Sequence, residues 1–448
     1  MTDRFTARAA IAAYAADAFG AELAALVAHP TDSTGTDPRA DPVGYLTDGL
    51  QPRLARMGCD VRVYPGAAPV MIAARIEDPS RPTVLIYGHG DTVPAMHGRW
   101  TDGRDPLTLT AEGDRLYGRG TADNKGQHLI NIAALEAVIA TRGRLGFNVK
   151  LLIEMNEETG STGLEAFADA HRDALAADVL IASDGPRAAP DVPCVFLGAR
   201  GALNFELRVD LRTGAHHSGN WGGLLADPAM ILAHALACIT DARGQIAIPA
   251  WRPNSLTDDV RAALAALPDP EAEDWGEATL TRNERVYGWN SFAVLAMKAG
   301  TPEAPVNAIA GHAHAQCQLR FVVGTDADAI LPALRAHLDA HGFQAVQITQ
   351  ADGVSFPATR QPLDHPWVAR VCRSIEESTG MAPHVLPNLA GSLPNHVFTD
   401  TLGLPTVWIP HSYKGCNQHA PDEHALRSIS HQALDLMTAL WWDIGADA

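Results

Sequence analysis

The spacing of apolar residues changes character along the chain. Residues 5–28 are alanine-rich with a helical repeat, and Val43, Leu46, Leu50, Leu54 and Met57 predict a second helix over 43–58. A polar stretch of Thr, Asp, Ser, Gly and Pro, 30–42, separates them. Strands are expected at 60–64 and 71–76. Three short apolar runs, 83–87, 148–155 and 178–182, suit strands buried on both faces. A helix over 125–141, with Leu129, Ile132, Leu135 and Ile139 along one side, lies between the first two runs. Strands alternating with helices predict an α/β fold: a mixed, largely parallel sheet flanked by helices. In such sheets function gathers outside the carboxyl ends of the strands.

Near residue 200 the period becomes two. Residues 202–211 and 312–322 alternate apolar and polar positions, as in strands with one exposed face. Asp227 can cap a helix that has Pro228 in its first turn. A helix over 326–341 and a strand over 345–349 follow. Residues 240–300, with several Pro and Trp, show no clear period. From 362 the first pattern returns: a helix at 366–379, a loop at Ala390-Gly391-Ser392, a strand at 405–409, a loop holding His411 and His419, and a closing helix over 428–442. The expected division is a first domain in two parts, 1–199 and 362–448, interrupted by an α+β domain at 200–361.

The 448 residues carry a formal net charge of −18, which argues against nucleic acid or an anionic membrane as partner. No apolar run approaches about 18 residues, and the N-terminal Met1-Thr2-Asp3-Arg4 lacks the apolar core of a secretory signal. Cys59, Cys194, Cys238, Cys317, Cys372 and Cys416 form no CxxC pair and read as thiols in a reducing compartment. The cytoplasm is the expected location.

Candidate chemistry collects at the ends of the buried runs. His89-Gly90-Asp91 ends the first, Glu157-Glu158 the second and Asp184 the third. Asp123 sits in the glycine-punctuated stretch 117–129, and His419 in the late loop. Any one of these alone reads as an ordinary turn or cap residue. Five strand ends or loops that each supply His, Asp or Glu point to metal. Asp123 has two carboxylate oxygens and can bridge two cations, with the other ligands divided between them. Of His89 and Asp91, one can bind metal while the other orients it. Of the two adjacent glutamates, one can sit on metal and the other beside a metal-activated water. Two histidines and three carboxylates without cysteine suit zinc, with cobalt or manganese as alternatives.

These stretches, quoted in full, are His89-Gly90-Asp91-Thr92-Val93-Pro94, Gly118-Arg119-Gly120-Thr121-Ala122-Asp123-Asn124-Lys125-Gly126, Glu157-Glu158-Thr159-Gly160-Ser161, Asp184 and His419-Ala420-Pro421-Asp422-Glu423. Together they resemble the M20 family of metallopeptidases, and in motifs its cytosolic dipeptidase branch most. The resemblance implies a zinc-exopeptidase-like catalytic domain with an inserted lid and dimerisation domain, and two divalent ions per subunit. His89 and Asp184 would hold one ion, Glu158 and His419 the other, and Asp123 both. Asp91 would orient His89, and Glu157 would be the general base. The peptide bond preceding Asp123 is expected to be cis.

In the inserted domain His217, followed by Ser218-Gly219, matches a histidine donated to the partner subunit's site to stabilise the oxyanion. Arg320, Asn307, Gly391, Ser392 and His365 match positions that hold a substrate carboxylate, although Ala390 stands where relatives often have Gly and Ala308 where they have Val. The expected activity is hydrolysis of an amide bond in a dipeptide, within a homodimer. The alternatives are an N-acyl- or N-carbamoyl-amino-acid hydrolase on the same scaffold, or a silent binding protein.

Overall fold

A computed structural model describes residues 3–351 and 355–446. The chain divides into two compact units, Met1–Gly198 with Gln361–Ala448, and Ala199–Arg360.

The first unit is built on an eight-stranded sheet. Its strands run in the order Asp60–Tyr64, Val70–Arg75, Asn148–Glu154, Thr83–His89, Val179–Ala182, Thr406–Trp408, Cys194–Phe196 and His384–Leu386. The central four, from Asn148–Glu154 to Thr406–Trp408, are mutually parallel. The pairs at the Asp60–Tyr64 end are antiparallel. The central strands are almost wholly buried, Val84, Leu85, Ile86, Leu151 and Leu180 completely. That explains their unbroken apolar runs, because parallel strands covered on both faces have no wet side to supply polar residues. Helices Arg4–Asp17, Lys125–Arg142, Pro366–Thr379 and Arg427–Ala446 contribute Ile11, Leu135, Val371 and Leu440 to the same core. The parallel strands all end on one edge. His89 is the last residue of its strand, Glu157 and Glu158 follow Asn148–Glu154 closely, and Asp184 lies two residues past Val179–Ala182.

The helix expected over 5–28 is broken. Arg4–Asp17 and Phe19–Val27 meet at 57°, with Ala18 off helical geometry. Alanine is the best helix former, so nothing local marks the bend; Ile11, Phe19 and Leu23, packed into the core, fix it instead. No single described helix is long and apolar enough to cross a membrane, and the bent pair meets that test only when its two halves are joined.

The loop that bears Asp123 rests on the first turn of Lys125–Arg142. A Cβ at Gly126 would come 2.1 Å from the Thr121 carbonyl oxygen, so only glycine lets the loop backbone lie this close. The helix stops at Gly143, whose φ of 80° is a left-handed cap and whose N–H donates to the Ile139 carbonyl.

The second unit is a four-stranded antiparallel sheet in the order Ser291–Lys298, His312–Phe321, Gly201–Asp210, Val346–Gln350, with helices Pro228–Ile239 and Ile330–Ala340. Phe205, Leu207, Val209, Leu319, Leu232 and Leu334 form its core. Trp251 is fully buried there and donates from Nε1 to the Ile330 carbonyl at 3.0 Å. Asp227 caps its helix as expected, accepting from the Ala229 N–H. The Ser291–Lys298 strand falls in the stretch without a clear period. It is an edge strand with apolar residues on both faces, interrupted by a bulge between Val294 and Ala296, so it shows no alternation.

Candidate metal centre

In the first unit the structure brings His89, Asp91, Asp123, Glu157, Glu158, Asp184 and His419 into one cluster. The two oxygens of Asp123 face different partners. Oδ1 lies 3.0 Å from His89 Nε2, and Oδ2 lies 3.2 Å from His419 Nε2. His89 Nε2 is also 3.5 Å from Asp184 Oδ2, and His419 Nε2 is 2.9 Å from Glu158 Oε2. The potential ligand atoms of His89, Asp123 and Asp184 lie within 4.8 Å of one another, and so do those of Asp123, Glu158 and His419. Asp123 is the member common to both sets.

Asp91 is fully buried behind His89. Its Oδ1 is 3.3 Å from His89 Nδ1, and its two oxygens accept from the Glu157 and Glu158 N–H groups at 3.1 Å each. One carboxylate thus fixes an imidazole and the turn that carries both glutamates.

The electrostatics of the cluster call for cations. Burial alone would pull the His89 imidazole down, but Asp123, Asp184 and Asp91 outweigh it and hold its pKa well above the usual value. Asp123 and Glu158 lift His419 to about 11. Burial, aided by Asp123, pushes Glu158 up to about 7, and enclosure raises Glu157 well above the ordinary carboxylate range. Asp184 is 3% exposed, and its Oδ2 makes no well-formed hydrogen bond, only the 3.5 Å approach of His89 Nε2. A buried carboxylate oxygen without a well-formed hydrogen bond is costly, and a divalent ion between His89, Asp123 and Asp184 would satisfy it. The oxygen- and imidazole-rich donor set fits two divalent ions of the zinc, cobalt or manganese type.

The scaffold behind the cluster was mostly silent in the sequence. Glu423 is 1% exposed and accepts from the Gly120, Ala122 and Asp123 N–H groups. It also pairs at 2.6 Å with Arg119, itself 1% exposed. This pair grips the loop that presents Asp123 from behind, yet its members lie 304 positions apart. Glu154 accepts from Tyr87 Oη and Ser161 Oγ, tying the His89 strand to the turn with the glutamates. Gln418 donates to Asp123 Oδ2 at 3.1 Å. His411 packs behind the site against Ser183 Oγ at 3.0 Å and belongs to neither donor set. His419 has a φ of 60°, a left-handed backbone uncommon outside glycine. The cis peptide joins Asp123 to Asn124, one bond later than expected.

The other candidates are distributed as follows. Gly391 and Ser392 lie in the loop after His384–Leu386, and Leu389 of that loop packs so near Gly185 that a Cβ there would meet it at 3.0 Å. His365 caps helix Pro366–Thr379 by accepting from the Trp367 N–H. His217, Asn307 and Arg320 belong to the second unit. The Asn307 carbonyl accepts from the Ser218 N–H at 2.9 Å, which places it beside His217. Arg320 lies next to Arg200, whose pKa is lowered to about 10 by burial and by the neighbouring guanidinium.

A family model described as peptidase family M20/M25/M40 matches residues 85–443. The chain belongs to this family. Among its relatives, the human Beta-Ala-His dipeptidase is 37% identical over 185 residues, 40% of this chain and 36% of that protein. The match thus spans about a third of the length of that relative. The Cysteinylglycine-S-conjugate dipeptidase of Corynebacterium striatum is 26% identical over 395 residues, 83% of each chain. The crystal structure of human carnosine dipeptidase 1 aligns with a TM-score of 0.81 at 24% identity, covering 99% of both chains, and shares the fold. Membership in the M20 family agrees with the resemblance carried by the motifs. The mixed sheet and the separate α+β unit are the family's architecture.

Proposed function

We propose that the protein is a two-metal dipeptidase, cleaving the amide bond of a small substrate with a free carboxylate. The observation that carries this reading is the placement of Asp123 in both donor sets. His89 and Asp184 would hold one ion, Glu158 and His419 the second. Bound there, two divalent ions supply Lewis acidity, polarising an amide carbonyl and acidifying water. Glu157 belongs to neither donor set and stands next to Glu158. Its carboxylate takes the proton of the attacking water and returns it to the leaving amine. Asp91 keeps His89 and both glutamates in register for this.

His217 is exposed, and its Nδ1 accepts from the Gly219 N–H at 3.1 Å. Its proton therefore sits on Nε2, the form needed to donate to an oxyanion, here in the partner subunit's site. In the second unit Arg320, by its planar fork, and Asn307 would contact a substrate carboxylate, and in the first unit Gly391, Ser392 and His365 would do so. Homodimerisation through the second unit is supported by the Ser291–Lys298 edge strand. Val294, Leu295 and Met297 are 43%, 56% and 46% exposed there, the surface an edge strand usually hides. Six unpaired cysteines accord with a cytoplasmic enzyme.

Treatment with a chelator is expected to abolish hydrolysis of unblocked dipeptides, and zinc, cobalt or manganese to restore it. The same assay run on N-acyl- and N-carbamoyl-amino acids separates the reaction classes. Faster turnover of the blocked substrates would replace the dipeptidase reading with an amidohydrolase one. Full activity of the metal-free protein would end both.

A further inference from the structure

The second unit holds a donor cluster that the reaction does not use. Cys238 lies in the last turn of helix Pro228–Ile239. His337 lies in the last turn of helix Ile330–Ala340, and His341 immediately follows that helix. The potential ligand atoms of the three lie within 4.8 Å of one another. None of them belongs to the donor sets around Asp123.

Each imidazole has one ring nitrogen bonded to a backbone carbonyl, as in many metal-ligating histidines. A ligating histidine donates its other ring N–H to a carbonyl or carboxylate, which fixes ring and tautomer. His341 Nδ1 donates to the His337 carbonyl at 2.8 Å, leaving Nε2 with its lone pair. His337 Nε2 donates to the Cys238 carbonyl at 2.8 Å, leaving Nδ1. The rings are one helical turn apart, with centroids 4.2 Å from each other, the spacing by which two histidines on one helix share an ion. Cys238 is half-buried, and its S–H donates to the Ala235 carbonyl at 3.1 Å, a bond given up when the thiol ionises. The cluster also lies where two helices end, and the negative end of a helix dipole favours a cation.

We propose that Cys238, His337 and His341 form a third metal site, for a zinc-type divalent ion, with water in the fourth position. Thiolate and imidazole donors select such an ion over the hard cations that oxygen ligands prefer. Ligands of one tetrahedral zinc stand roughly 3.5 Å apart, so binding would draw the three donor atoms in from the 4.8 Å within which they already lie. Binding converts the Cys238 thiol to a thiolate and releases its proton to solvent. The ion would clasp the two helices that cover the second unit's sheet.

Cobalt(II) tests this on the full chain, because a thiolate ligand gives a charge-transfer band in the near ultraviolet that oxygen and nitrogen ligands do not. Chelator-treated protein, dialysed against excess cobalt(II), is expected to take up three ions per chain and show that band. Cys238→Ser is expected to lose the band and one ion while retaining the other two. His341→Ala should weaken the third ion by at least the roughly 10–100-fold that losing even a supporting group costs. Two ions per chain without the band would overturn the proposal and leave His337 and His341 as caps of helix carbonyls. A band that survives in Cys238→Ser would overturn it as well.

Discussion

Glu157→Gln is expected to lower kcat by roughly 10²–10⁴-fold or more, the range that a positioned general base contributes, while leaving two ions bound per active site. Glu157 lies outside both donor sets, and its backbone is anchored separately, through its N–H to Asp91. The amide keeps the volume and the turn but cannot accept the proton of the attacking water. Metal content and kcat measured on one preparation separate this from a loss of ligands. If turnover stays near normal, Glu157 is not the base. If an ion is lost with the activity, Glu157 is a ligand and the assignment of the pair must be revised.

Glu423→Ala is expected to have the largest effect on stability. It removes the acceptor of three backbone N–H groups and leaves Arg119 charged and without its carboxylate at 1% exposure. Breaking a buried ion pair from one side costs about 3–5 kcal/mol, which lowers the Tm of a chain this long by about 3–5 °C. The Asp123 loop should loosen too, so metal affinity is expected to fall although Glu423 touches no ion. A double variant, Arg119→Met with Glu423→Leu, removes both charges and should recover part of the stability but not the metal affinity. Thermal unfolding with and without zinc checks both statements. A Glu423→Ala protein with unchanged Tm would show that the pair is not the clamp described here.

The parts of the site that could be read in the sequence were the ends of buried strands. An apolar run covered on both faces has a sharp polar boundary, so His89, Glu157, Glu158 and Asp184 stand out at its end. Asp123 and His419 were visible because glycines, Pro421 and other turn residues surround them. The supporting contacts were hidden because they are long-range. Nothing near Arg119 points to Glu423, and nothing near Glu154 says that Tyr87, 67 positions away, bonds to it. The bend at Ala18 was hidden for a related reason, since tertiary packing overrode a strong local preference for helix. Ser291–Lys298 escaped notice because an edge strand with apolar residues on both faces has no alternation to detect. The Cys238–His337–His341 cluster joins two helices some 100 residues apart in the chain, and each of its members alone reads as an ordinary helix residue.

Anomalous diffraction at the zinc edge decides whether Asp123 is shared between two ions. Crystals grown with zinc are expected to show two peaks flanking the Asp123 carboxylate, one also bound by His89 and Asp184, the other by Glu158 and His419. A single peak in this cluster, or two peaks neither of which contacts Asp123, would rule out the shared carboxylate.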